Sequence, residues 1–179
     1  MNRSSALAVS SIFVVLAGCQ PASSAEDGAT TAPMAPHVVA ATDIDAGRYL
    51  VMTGGCNDCH TPGFAEGGGR TPEAQWLMGA PVGFKGPWGV TYPHNLRITV
   101  ANMSEDAWVG MLNARQGAPP MPWPSVRAMS DPDKRAVYRY IRSLGPGGAA
   151  APTALPPGVI PTTPYQDFSL VTPPAPVAG

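Results

Sequence analysis

Residues 56–60 read Cys-Asn-Asp-Cys-His, and two of the three cysteines of the 179-residue chain stand in that stretch. Two sulfurs three positions apart, with an imidazole directly after them, are equipped to hold a group that the fold must then accommodate. Three kinds of site use such a pattern: a structural zinc ion, a redox-active dithiol and a covalently attached haem. The 20 glycines and 22 prolines interrupt helix and strand interiors. One modest, loop-rich domain is therefore expected.

The chain opens MNRSS, with one positive charge at Arg3, followed by the apolar run ALAVSSIFVVL. This has the length of a signal peptide and ends too soon for a membrane span. It closes Leu16-Ala17-Gly18-Cys19, which resembles the lipobox of bacterial lipoproteins, in which the signal is cut before a cysteine that receives lipid. Residues 1–18 are accordingly expected to be a lipoprotein signal peptide and Cys19 a lipidated membrane anchor. Removing them takes away one of 11 basic residues and none of the 12 acids, so 10 − 12 leaves a formal charge of −2. Nucleic acid is not an expected partner for such a balance.

Residues 19–41, rich in Ala, Ser, Thr and Pro without period, read as a flexible tether. From Thr42 the pattern changes. Thr42 can cap a helix whose first turn carries Asp43 and Asp45, with Ile44, Tyr49 and Leu50 as its apolar stripe and Gly54-Gly55 as its end. A second helix is expected after Ser104, with Trp108, Met111 and Leu112 on one face, ending at Gly117. A third follows Ser130, with Val137, Tyr140, Ile141 and Leu144 as the stripe. Residues 61–100 show little periodicity and read as a long loop. Residues 146–179, with their many prolines, are either a free extension or a segment lying extended against the domain.

Zinc needs two pairs of ligands, and the only other histidines of the mature chain are His37 in the tether and His94. A thioredoxin-like dithiol follows a strand, whereas the residues before Gly55 carry helical signals. Haem attachment needs only what is present. Cys56 and Cys59 can form thioethers to both vinyl groups on one porphyrin edge while His60 turns beneath the ring to bind iron, and export agrees with haem attachment outside the cytosol. A planar apolar cofactor also gives a loop-rich domain its core. Trp76, Trp88, Tyr92 and Arg97 are candidates to pack on the ring or bond its propionates.

The other axial position decides the chemistry, since a thioether raises the iron potential and an open site permits ligand binding. Met111 and Met129 sit where core residues belong, and Met103 precedes a helix cap. Met78 and His94 remain nominal candidates. Met121 differs: in Ala-Pro-Pro-Met-Pro-Trp-Pro, residues 118–124, four prolines restrict the loop that presents it.

A first helix ending at CxxCH, a Met-Pro loop 121 − 60 = 61 positions later and an amphipathic last helix together resemble the class I c-type cytochromes, over residues 42–145. The resemblance implies an all-α fold, a small cytochrome c fold with three main helices and long loops wrapping one haem c, followed by the Pro-rich tail. It implies His60 and Met121 as axial ligands, and a crossing of the first and last helices at Gly47 and Tyr140. The family's Asn-Leu-Thr appears here as Asn95-Leu96-Arg97, a departure at the haem edge. The expected function is electron transfer in the periplasm, not catalysis. Its partners would be redox proteins such as a dehydrogenase or a terminal oxidase or reductase. Two alternatives stay open: a haem protein with a labile sixth ligand, binding gas or acting on peroxide, and a dedicated subunit of a dehydrogenase complex.

Overall fold

The computed structural model describes residues 35–173; Cys19 and the expected signal peptide lie outside the described residues. Helices form at the three expected places. These are α1 (Asp43–Thr53), the helix here numbered α4 (Glu105–Ala114) and α6 (Asp131–Ser143). Their caps are Thr42, Ser104 and Ser130, whose hydroxyls accept from the amides of Asp45, Ala107 and Asp133, each satisfying one otherwise unpaired first-turn donor. Between and beside them lie three short helices: α2 (Cys56–His60), α3 (Leu96–Ala101) and α5 (Trp123–Ala128). Among the described residues no helix is long and apolar enough to cross a membrane.

The all-α expectation is overturned. Strands β1 (Gly83–Gly86), β2 (Gly89–Thr91) and β3 (Tyr165–Asp167) form a mixed sheet in the order β2-β1-β3. β1 and β2 are an antiparallel hairpin pairing Phe84 with Thr91 and Gly86 with Gly89. β3 joins β1 in parallel, pairing Gly83 with Tyr165 and Lys85 with Asp167. Strands of only three or four residues carry no period of their own. The segment after α6 supplies the third strand and also an isolated bridge between Leu155 and Val90. Phe168 then packs edge-on to Phe84, ring centroids 5.7 Å apart, and Lys85 pairs with Asp167 at 2.7 Å. Up to β3, the proline-rich segment is thus docked on the domain.

The core gathers Val51, Trp76, Leu77, Val100, Trp108, Leu112, Tyr140 and Ile141. α1 and α6 cross with almost no space between them: a Cβ on Gly47 would lie 2.0 Å from the Ala136 carbonyl oxygen and 2.7 Å from Tyr140 Cβ. The crossing lies at Gly47 and Tyr140 as expected, and Leu50 packs against the core, but the rest of the stripe expected for α1 is corrected. Its buried residues are Ala46, Gly47 and Val51, while Ile44 and Tyr49 are 45% and 56% exposed. Small side chains, not large ones, let the two backbones meet. Around the crossing, Arg139 bridges Asp43 of α1 and Glu105 of α4, and the Tyr140 hydroxyl donates to Glu73 at 2.8 Å.

Candidate functional site

α1 ends at Gly54, and Gly55, at φ 65°, turns the chain so that Cys56–His60 begins a new helical turn. A residue with a side chain would be strained there. The single turn of α2 carries all three side chains of the motif. Both cysteines are free thiols, each partly exposed. Burial pushes the Cys56 thiol up to about 11, and burial followed by the Asp58 carboxylate pushes Cys59 up as well. A thioredoxin-like dithiol follows a strand, whereas here the motif follows the helix α1. Among the described residues no three His, Cys, Asp or Glu side chains gather as a metal cage.

His60 is 8% exposed, and its Nδ1 lies 2.7 Å from the His94 carbonyl oxygen. A carbonyl only accepts, so Nδ1 carries the proton, and in the neutral ring it is Nε2 that has the free lone pair. Burial holds the imidazole pKa below its ordinary value, which keeps the ring neutral. This is the state a metal-ligating histidine requires, with the partner group fixing its tautomer.

Main-chain bonds hold this arrangement. The Gly79 amide donates to the His60 carbonyl at 2.8 Å. The Thr61 hydroxyl donates to Asn57 Oδ1 at 2.7 Å and accepts from the Leu77 amide at 2.8 Å. The Leu96 amide donates to the Leu77 carbonyl at 3.0 Å. Residues 77–79 are thereby clamped between α2 on one side and 93–96 on the other. Gly79, at φ 77°, has no room for a side chain, because a Cβ would lie 2.7 Å from the Asn95 nitrogen. Asn57 and Thr61 are each 1% exposed. Of this second layer only His94 and the Asn95 triplet drew notice in the sequence, and neither for the bonds observed. Carbonyls and amides leave no trace in residue type.

Met121 stands apart. It lines a cleft of about 260 Å³ with Gln116, Pro119, Trp123 and Arg127, whose walls do not include Cys56, Cys59 or His60. The loop is tied towards the site indirectly: Thr91 donates to the Pro119 carbonyl at 2.9 Å, three residues before His94. The other sulfurs are engaged elsewhere. Met103, Met111 and Met129 pack against the core, and Met78 lies against the turn at Gly147 and Gly148. The His94 ring is exposed; its carbonyl, not its imidazole, belongs to the site. The four candidate propionate partners spend their polar atoms on the fold. Trp76 Nε1 donates to the Thr71 carbonyl and Trp88 Nε1 to that of Phe84. The Tyr92 hydroxyl bonds Thr163, and Arg97 donates to the carbonyls of Ala74, Leu144 and Gly145.

The larger groove, about 580 Å³, lies between the 35–36 segment, α5 and the start of α6 and holds none of the motif. Comparison with protein-family models, with curated proteins and with solved structures returns no match for the chain.

Proposed function

We propose that this chain is a c-type electron carrier holding one covalent haem, exported to the periplasm and anchored to a membrane through lipid on Cys19. The observation that carries the reading is the placement of His60: a buried imidazole whose Nδ1 lies 2.7 Å from the His94 carbonyl oxygen, on the same short helix as two free thiols. That donor set fits haem c, which asks of the motif two thioether-forming sulfurs and one nitrogen ligand. Among the described residues no cluster of three metal-ligating side chains forms for zinc, and the motif follows a helix, not the strand of a thioredoxin-like dithiol. Bound haem would supply a one-electron ferric/ferrous couple.

The chain's own part is binding and orientation. Cys56 and Cys59 would hold the group at its edge, and His60 would ligate through Nε2. The His94 carbonyl fixes the ring tautomer and makes the nitrogen a stronger donor. Met121 would supply the thioether that raises the potential. Redox proteins of the dehydrogenase or terminal oxidase and reductase kind would be its partners.

A second reading has one observation in its favour. Met121 opens on a cleft that the motif does not line, and an unligated sixth position would suit gas binding or peroxide chemistry instead.

Co-expression with a haem-attachment system tests the proposal. The wild type should show a c-type reduced-minus-oxidised spectrum that survives acid-acetone extraction, and Cys56→Ser with Cys59→Ser should lose it. A colourless wild type contradicts the reading.

A further inference from the structure

The segment that follows α6 does more than complete the sheet, because its first residues are bonded to the side chains of Asn95 and Arg97, beside the peptide that holds His60. The His94 carbonyl and the Asn95 nitrogen belong to one planar peptide unit, so the tilt of that plane sets the acceptor position for His60 Nδ1. Asn95 is 3% exposed and held at both ends of its side chain. Its Oδ1 accepts from the Ile98 amide at 3.0 Å, capping α3. Its Nδ2 donates to the carbonyls of Gly147 at 2.7 Å and Ala149 at 3.1 Å. Two residues on, Arg97 donates to the carbonyls of Leu144 and Gly145. The turn 144–149 is therefore fastened to the stretch that carries the His60 acceptor. Beyond it the chain is pinned again at Leu155 to Val90, at Thr163 to Tyr92 and at β3 to β1.

We propose that Asn95 is a positioning residue through which the C-terminal segment fixes the His94–Asn95 peptide, and with it the hydrogen bond that tunes His60 as an iron ligand. The proposal rests on the haem reading of His60. A firm Nδ1–H to carbonyl bond makes the imidazole more electron-donating and favours ferric iron. Releasing the peptide weakens that bond and favours ferrous iron.

Two neutral substitutions in the full chain release it from opposite sides, avoiding the direct field of an added charge. Asn95→Ser keeps an oxygen to cap α3 but loses both donors to the strap. Gly148→Ala, at φ 71°, places a Cβ 3.0 Å from Asn95 Nδ2. Val109→Ala, in the core of α4, is the control for general destabilisation. In redox titrations of the haem-loaded proteins, both strap variants should raise the ferrous-to-ferric ratio at fixed ambient potential about threefold, equivalent to about 28 mV at 59 mV per tenfold. Amide exchange at Gly79 and Leu96 should quicken with them. Val109→Ala should lower the melting temperature and leave the ratio alone.

A ratio unchanged in both strap variants overturns the proposal. So does an equal shift in Val109→Ala, or a shift towards ferric iron. Absence of haem in the wild type would sink the functional reading instead. The exchange measurement still decides the mechanical coupling in that case, and unchanged exchange at Gly79 and Leu96 overturns it.

Discussion

Gly47→Ala sets two effects of known sign against each other. Alanine is the better helix former, so within α1 the substitution should stabilise by about 1 kcal/mol. Against this, the new methyl would lie 2.0 Å from the Ala136 carbonyl oxygen, 2.6 Å from its carbon and 2.7 Å from Tyr140 Cβ. The first two neighbours are main chain of α6 and cannot rotate away, so α1 has to retreat by roughly 1 Å. That retreat loosens Ala46 and Val51 from the core they share with Val137, Tyr140 and Ile141. Overpacking of a tight core costs about 1–3 kcal/mol where side chains can adjust, and backbone-on-backbone contact belongs at or above the top of that range. The net expectation is a loss of about 2 kcal/mol. At roughly 3 °C per kcal/mol for a domain of this size, the melting temperature read by far-ultraviolet circular dichroism should fall by about 6 °C. An unchanged or higher melting temperature would mean that helix propensity wins, and that α1 and α6 do not meet as closely as described.

Three further outcomes follow from the site and its supports. Met121→Ala should abolish the near-infrared charge-transfer band of the oxidised haem protein and lower its potential, while Met103→Ala, which thins the core, should keep the band; a band surviving in Met121→Ala removes that residue from the iron. Thr61→Val leaves the Leu77 amide and Asn57 Oδ1 without partners and should cost about 1–3 kcal/mol in urea unfolding; an unchanged midpoint contradicts the clamp. Glu105 is held below its ordinary value of 4.5, first by the hydrogen bond from Arg139 and then by that from Arg135. A lowered carboxyl pKa adds stability that is present above the ordinary value and lost as pH falls through the lowered one. The urea midpoint of Glu105→Gln should therefore lie below wild type at pH 7, and the gap should narrow as the pH falls below 4.5 and close once it is below the lowered value. A gap that persists in acid would assign the effect to packing.

The long helices were legible because their signals are local. A capping hydroxyl, acids in the first turn and an apolar period all lie within fifteen residues of one another at 42–53, 104–114 and 130–143. Periodicity puts Ile44 and Tyr49 on the buried face of α1 because a stripe favours large residues, whereas the close contact is made by Gly47, which the family resemblance points to and the stripe does not. The sheet was not legible for a different reason. β1 and β3 lie about eighty positions apart, Gly83 pairing with Tyr165, and neither GFKG nor YQD alternates long enough to declare a strand. α3 was hidden by its setting, a six-residue helix capped by Asn95 at the end of a segment that reads as loop. At the site, Cys56, Cys59 and His60 are contiguous and so were visible together. Their supports are a carbonyl at 94, an amide at 79 and a hydroxyl at 61. Of these Gly79, through its positive φ, and Thr61, through its hydroxyl, have residue types that the structure requires, and nothing in the sequence sets that glycine apart from the rest of the 20 or marks that threonine as buried.

The pyridine haemochrome spectrum of the purified wild-type protein, made in cells competent for haem attachment, bears most directly on the central claim. Thioethers at Cys56 and Cys59 predict the c-type absorption maximum, at one haem per chain, on protein that keeps its colour after denaturation. A b-type maximum, or a spectrum with no haem at all, would contradict it.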